Sequence, residues 1–133
     1  MQPQKIKQIT PLKGVNVLSL ALNLPGPAAL MRLNAMGARC TKLEPLASKG
    51  TSTADPMGIY KPAAYQTMHQ GVRVVQADLK TASGQTALHK LLAKTDVLIT
   101  SFRPSALAKL GLGWKDLHRH YPSLCMVSVI GAT

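Results

Sequence analysis

Five carboxylates, four histidines and two cysteines are the side chains here best suited to acid–base, metal or nucleophilic chemistry. The acids are Glu44, Asp55, Asp78, Asp96 and Asp116. Asp78 and Asp96 fall at strand edges, where turn or capping roles are expected. The histidines are His69, His89, His118 and His120. His118 and His120 stand two residues apart, about 200° around a helix, which makes a poor metal clamp. His89 falls on the polar face of its predicted helix, so these three rings are expected in solvent. Cys40 and Cys125 lie inside apolar stretches and are expected as reduced, buried core residues. No Cys-x-x-Cys pair occurs, which removes zinc ribbons and thioredoxin chemistry. No nucleophile has a visible base beside it. The residues themselves therefore assign no catalytic group and no metal site.

Nucleotide chemistry fares little better. A dinucleotide site needs Gly-x-Gly-x-x-Gly between the first strand and the first helix, with an acid about 20 residues on. Glu44 stands at a suitable distance, but the turn offers only Pro25-Gly-Pro27, and both prolines lack the N–H that would hold a pyrophosphate. The Walker pattern is absent.

The elements that must carry these residues are legible. Gly14 to Leu20 is short, apolar and rich in β-branched residues, and reads as a buried strand. Pro27 suits the first turn of a helix over Ala28 to Met36, and Gly37 suits its end. Ala38 to Leu43 is a second strand, closed by Glu44-Pro45. Strand, helix and strand with short joints make a βαβ unit with parallel strands. Leu46 to Gln70 shows no sustained period and reads as one long loop, of the functional or mobile kind. Val72 to Leu79 returns to strand pattern. Thr81 can cap a helix running to about Lys94, with Ala87, Leu88, Leu91 and Leu92 as its apolar stripe. Asp96 to Thr100 is a strand, Ser105 to Leu110 and Lys115 to His120 are short helices, and Leu124 to Ile130 is a last strand.

The fold class that follows is α/β, with a mainly parallel sheet and flanking helices. A strand so near the last residue leaves the sheet short of covering helices, so an incomplete large domain is expected. Residues 1–10 read as a basic N-terminal tail and 11–133 as the domain. The chain has 133 residues, of which 46% are hydrophobic, so it can bury a core. No apolar run approaches a membrane span and no signal peptide is apparent, which points to a cytoplasmic protein with no membrane partner. A net charge of +11 favours polyanions, among them phosphorylated cofactors and nucleic acid. The bases are spread from Lys5 to Arg119 with no two adjacent, so nucleic acid is an unlikely partner.

Five blocks in order carry a family resemblance. They are Pro11 to Leu20 with Pro25-Gly-Pro27; Gly37 to Pro45; Arg73 to Lys80; Asp96 to Pro104; and Leu107 to Gly113 with Tyr121-Pro-Ser-Leu124. Together they resemble the opening of the class III CoA-transferases, the CaiB/BaiF family, which includes α-methylacyl-CoA racemases. Pro25-Gly-Pro27 and Gln76 to Lys80 are similar to the racemase branch.

The resemblance implies a Rossmann-like fold and a longer chain, of which this is an N-terminal portion. It implies CoA transfer between carboxylic acids, with CoA or acyl-CoA as substrate and no covalently bound cofactor. The family's catalytic Asp follows a segment corresponding to Ile130 to Thr133, so no catalytic residue is carried over. By position, CoA-binding residues would be Leu24 and Pro25, Gln70 and Gly71, Ser101, Phe102 and Arg103, and Lys109. A racemase-like fragment and a non-catalytic CoA-binding or assembly module are the alternatives. A homo-oligomer, or another chain completing the fold, is the implied partner. The chain departs from the family at His69 to Val74, where two bases are lost, at Thr100-Ser101, at Ser19 in place of an acid, and at Ala132-Thr133.

Overall fold

The computed structural model describes residues 9–130. The strands are β1 (Asn16–Ser19), β2 (Arg39–Glu44), β3 (Arg73–Gln76), β4 (Val97–Thr100) and β5 (Cys125–Ser128). The helices are α1 (Pro25–Ala35), α2 (Pro56–Tyr60), α3 (Pro62–Met68), α4 (Ala82–Leu92), α5 (Pro104–Lys109) and α6 (Trp114–His120). All strand pairings are parallel, in the order β3-β2-β1-β4-β5. The chain winds outward from β1 in one direction, then crosses back and winds outward in the other. This is a doubly wound sheet, with its switch of direction between β1 and β4.

Local sequence accounts for the element ends. Pro25 opens α1, where its missing N–H has no helical partner to lose. Gly37 follows the C-cap at φ +100°, a conformation that L side chains rarely adopt. The Thr81 hydroxyl accepts from the Gly84 amide at 3.0 Å and caps α4. Asp78 has the expected turn role, accepting from the Lys80 amide. Asp96 instead ties two strands together, its Oδ2 accepting from the Asn16 amide at the start of β1, 80 residues away.

Alternation along the strands divides the core. Leu18, Leu20, Leu43 and Leu98 meet Leu88 and Leu92 of α4, Leu107 of α5 and Leu117 of α6. On the other face Val17, Cys40 and Ile99 pack with Ala21, Ala38 and Leu30 of α1. Each fully buried leucine contributes about 1.5–3 kcal/mol. Ala87 lies outside the expected stripe of α4 and faces solvent.

Three further expectations are corrected. Leu46 to Gln70 is not one loop: it holds α2 and α3. Two turns this short show no helical period, and prolines at Pro56 and Pro62 start them. His89 is not solvated, because its Nδ1 lies 2.6 Å from the Tyr121 hydroxyl and the rings stack. Cys125 is exposed, whereas Cys40 is buried as expected. The register places Cys125 and Val127 beside Val97 and Ile99, on the face that α1 covers only over the centre of the sheet.

The two thiols are therefore expected to separate in reactivity. Burial pushes the Cys40 thiol up to about 11, leaving almost no thiolate at neutral pH. A thiol-specific reagent should label one cysteine in the native protein and two after denaturation. Cys125→Ser should abolish the native label, and labelling of Cys40 without unfolding would contradict the burial.

Candidate functional site

The carboxyl ends of the strands open into a crevice of about 420 Å³. Leu20 lines it from beyond β1, Leu43 from β2 and Pro45 from just beyond it, Ala77 to Lys80 from beyond β3, and Phe102 from beyond β4. Its walls are mainly apolar, with Asp78 and Lys80 as polar members. Crevices of this size at a switch point are the usual ligand sites of open α/β sheets.

The residues singled out by position divide into two groups. Leu24 and Pro25 begin α1, just past β1, and both are exposed. Ser101, Phe102 and Arg103 follow β4, and the Leu22 amide donates to the Ser101 hydroxyl at 3.4 Å, joining the two loops. Lys109 ends α5 and is exposed beside Leu110, which lines the crevice. Gln70 and Gly71 lie elsewhere. They precede β3, and the Asn34 side chain at the far end of α1 donates to the Gln70 carbonyl at 3.3 Å. The loops after β1 and β4 thus carry Leu24, Pro25, Ser101, Phe102 and Arg103 at the carboxyl ends, where Phe102 alone of the positional residues lines the crevice. Gln70 and Gly71 stand at the opposite end. Ser19, the departure in the first strand, is fully buried, and its hydroxyl accepts from the Ala21 amide at 3.1 Å.

Beneath the turn after β1 lies a second feature, a fully buried ionic cluster. Lys42, Glu44 and Asp55 are each 0% exposed. The Lys42 ammonium contacts Glu44 Oε2 at 2.8 Å, His69 Nε2 at 3.0 Å and the Asp55 carboxylate. Glu44 also accepts from the Thr53 hydroxyl at 2.6 Å and the Tyr65 hydroxyl at 2.7 Å. Burial first of all pushes Tyr65 up to about 12, so its hydroxyl stays a donor. Asp55 Oδ1 accepts from the Asn23 and Met57 amides, each at 3.0 Å, and so caps α2 while holding the turn after β1. Tyr65 and His69 stack at 4.0 Å, and the ammonium sits 5.1 Å from the Tyr65 ring centre. No buried side-chain nitrogen or oxygen lacks a partner among the described residues.

Glu44, Asp55 and His69 bring one ligand atom each to within 4.8 Å of the others, a donor set that a divalent ion accepts. Lys42 takes that place, since its three N–H groups meet all three partners. The cluster escapes a reading of the sequence because Asp55 and His69 come from the stretch that shows no period. One signal was available: Lys42 and Glu44 alternate with Leu43 on a strand otherwise expected to be buried.

The crevice, the switch point and the strand order fit the family resemblance, and comparison with known proteins makes the assignment. The profile of CoA-transferase family III matches residues 12–131, and the chain belongs to that family. It is 34% identical over 128 residues to the succinyl-CoA–D-citramalate CoA-transferase of Chloroflexus aurantiacus, covering 91% of this chain and 31% of that protein. It is 30% identical to human succinyl-CoA:glutarate CoA-transferase, covering 98% of this chain and 30% of the relative. Among solved structures, Rv3272 from Mycobacterium tuberculosis superposes with a TM-score of 0.82 at 29% identity, covering 95% of this chain and 35% of that one. A CaiB/BaiF family protein from Brucella suis gives 0.73 at 30% identity, covering 93% and 34%. The chain thus spans about a third of the length of these relatives.

Among the described residues, no helix is long and apolar enough to cross a membrane.

Proposed function

We propose that this chain is the N-terminal, CoA-binding portion of a family III CoA-transferase, acting on CoA thioesters of carboxylic acids. The observation that carries the reading is the carboxyl-end crevice, bounded by the loops after β1, β3 and β4. Its apolar walls suit a flat base or a pantetheine arm. Lys80 lines it, while Arg103 and Lys109 adjoin the lining residues Phe102 and Leu110 and can meet phosphate charge. The carboxylates support the same division of labour. Glu44 and Asp55 are consumed by Lys42, Asp78 and Asp96 accept from backbone amides, and Asp116 pairs with Arg119 on the surface. Of the five, Asp78 lines the crevice, and its Oδ1 is engaged by the Lys80 amide. The relatives named above are CoA-transferases, which favours transfer over the epimerisation of a racemase.

Calorimetric titration of the full chain with CoA should show binding, and 3′-phospho-ADP should compete. Arg103→Ala and Lys109→Ala should each weaken binding roughly ten-fold, the scale of a hydrogen bond to a charged group. Binding that neither substitution alters would remove these residues from the site. Absence of binding by the intact chain would remove the reading itself.

An assembly role is the second reading, and the outer sheet supports it. Val127 is 44% exposed and Ile130 51%, on or beside an edge strand that presents unpaired backbone groups. Size-exclusion chromatography tests association with a second chain or copy, and a strict monomer would count against it.

A further inference from the structure

We propose that neutral His69 is a positioning residue: acting through Lys42 and Asp55, it holds the turn after β1, and its protonation releases that turn together with α2 and α3. The latch stands on the geometry of the buried cluster, and only its consequence for CoA rests on the function proposed above.

The hydrogen bonds fix the protonation state. An ammonium donates and cannot accept, so His69 Nε2, 3.0 Å from Lys42 Nζ, must present its lone pair. Nδ1 lies 2.6 Å from the Tyr65 carbonyl and must carry the proton. A second proton on Nε2 would point at an ammonium, with no acceptor between two cations in a site closed to water. His69 faces Lys42 and Glu44 from β2, Asp55 from the cap of α2, and Tyr65 from its own helix. Burial, the largest influence, lowers its pKa. Lys42 acts in the same direction, against the opposing pull of the Tyr65 carbonyl and the two carboxylates.

Little else fastens this region. Within its own span α3 buries no residue, and α2 buries only Met57. The attachment is polar: Tyr65 and Thr53 to Glu44, and His69 and Asp55 to Lys42. Asp55 Oδ1 joins the first residues of α2 to Asn23, which it holds at φ +70°. Tyr60 on α2 adds a hydrogen bond to the Asn23 side chain. Displacing His69 removes one of the three partners that fix the ammonium. Lys42 then no longer locks Asp55, and the turn loses its restraint. Segments with so few apolar anchors open before the sheet does.

The sign follows from linkage. The folded pKa of His69 lies below the ordinary 6.5, so in acid the open chain binds the proton first. The closed state is unaffected well above that value. It weakens as pH falls through 6.5 toward the folded pKa, and the loss then levels off.

Amide hydrogen exchange on the full chain tests this. Between about pH 7.5 and pH 5, protection factors at Asn23 and Met57 should fall together by about ten-fold or more, while those at Leu18 and Leu98 hold. His69→Gln supplies the control: Oε1 can accept from Lys42 and Nε2 can donate to the Tyr65 carbonyl, and neither titrates. The step should vanish in H69Q. Protection that ignores pH in the unsubstituted protein, or an unchanged step in H69Q, overturns the latch. Should H69Q fail to fold, the His69 ring resonances of the unsubstituted protein decide. They must titrate below 6.5, at the pH where the loss of amide protection levels off, and a ring that titrates elsewhere overturns the assignment. CoA affinity should fall on acidification more in the unsubstituted protein than in H69Q, and an equal fall breaks the link to the ligand site. No CoA binding at either pH removes the proposed function and leaves the latch to be judged by the amides.

Discussion

Lys42→Met is expected to destabilise the chain by about 3–5 kcal/mol, the scale of removing one partner from a buried ion pair. Domains of this size are stable by about 5–15 kcal/mol, so the variant should show a large unfolded fraction or unfold in mild denaturant. Among the described residues, the ammonium is the only positive charge that contacts Glu44 and Asp55, and all three groups are fully buried. Without it two carboxylates remain in a dry pocket with only neutral donors. The methionine replaces the volume of the stem, which assigns the loss to charge rather than to a cavity. Urea denaturation at neutral pH measures the effect, and a double-mutant cycle with Asp55→Asn isolates the pair. The doubly substituted protein should be more stable than the sum of single losses implies. A loss below about 1 kcal/mol would place the pair in the class of exposed, weakly contributing salt bridges and contradict its burial.

Gly84→Ala is the second large effect, about 3 kcal/mol at the upper end for overpacking. A Cβ at Gly84 would stand 1.7 Å from the Asp78 carbonyl oxygen and 2.5 Å from its carbon. These are backbone atoms, so no side chain can turn aside. Either the first turn of α4 lifts from the sheet or the segment Asp78 to Lys80 moves, and that segment lines the crevice. The variant should therefore lose CoA affinity as well as stability. Gly113→Ala is the contrast: at Gly113 a Cβ meets nothing within 4 Å and the backbone is extended at φ −59°. That change should be neutral or add a few tenths of a kcal/mol by restricting the unfolded chain. Equal melting temperatures for the two variants would show that α4 and the crevice loop are not in contact.

Much of the architecture was open to a reader of the sequence. Strand and helix periods are local properties, so Gly14 to Leu20, the Thr81 cap and the Gly37 helix end could be identified from neighbouring residues alone. The α/β class and the parallel pairing follow from the alternation of those elements, because short joints permit few crossovers. The ordered blocks from Pro11 to Leu124 pointed to the CoA-transferase family. Residue order carries that information whether or not the chain is folded.

Tertiary structure decided what depends on distance between segments. Val97 and Val127 both read as strand residues, yet only the sheet order puts one beside β1 and the other on an exposed edge. Gln70 and Arg103 were grouped by position, but strand direction separates them, because one precedes β3 and the other follows β4. The largest difference concerns charge. Lys42 in isolation is a surface base, and Asp55 and His69 sit in a stretch with no period. Folding brings the three together from positions 13 and 27 residues apart in sequence. Once water is excluded, each must satisfy the others, and that requirement fixes the tautomer of His69 and the turn at Asn23. No residue type announces it in advance, because the energy belongs to the arrangement.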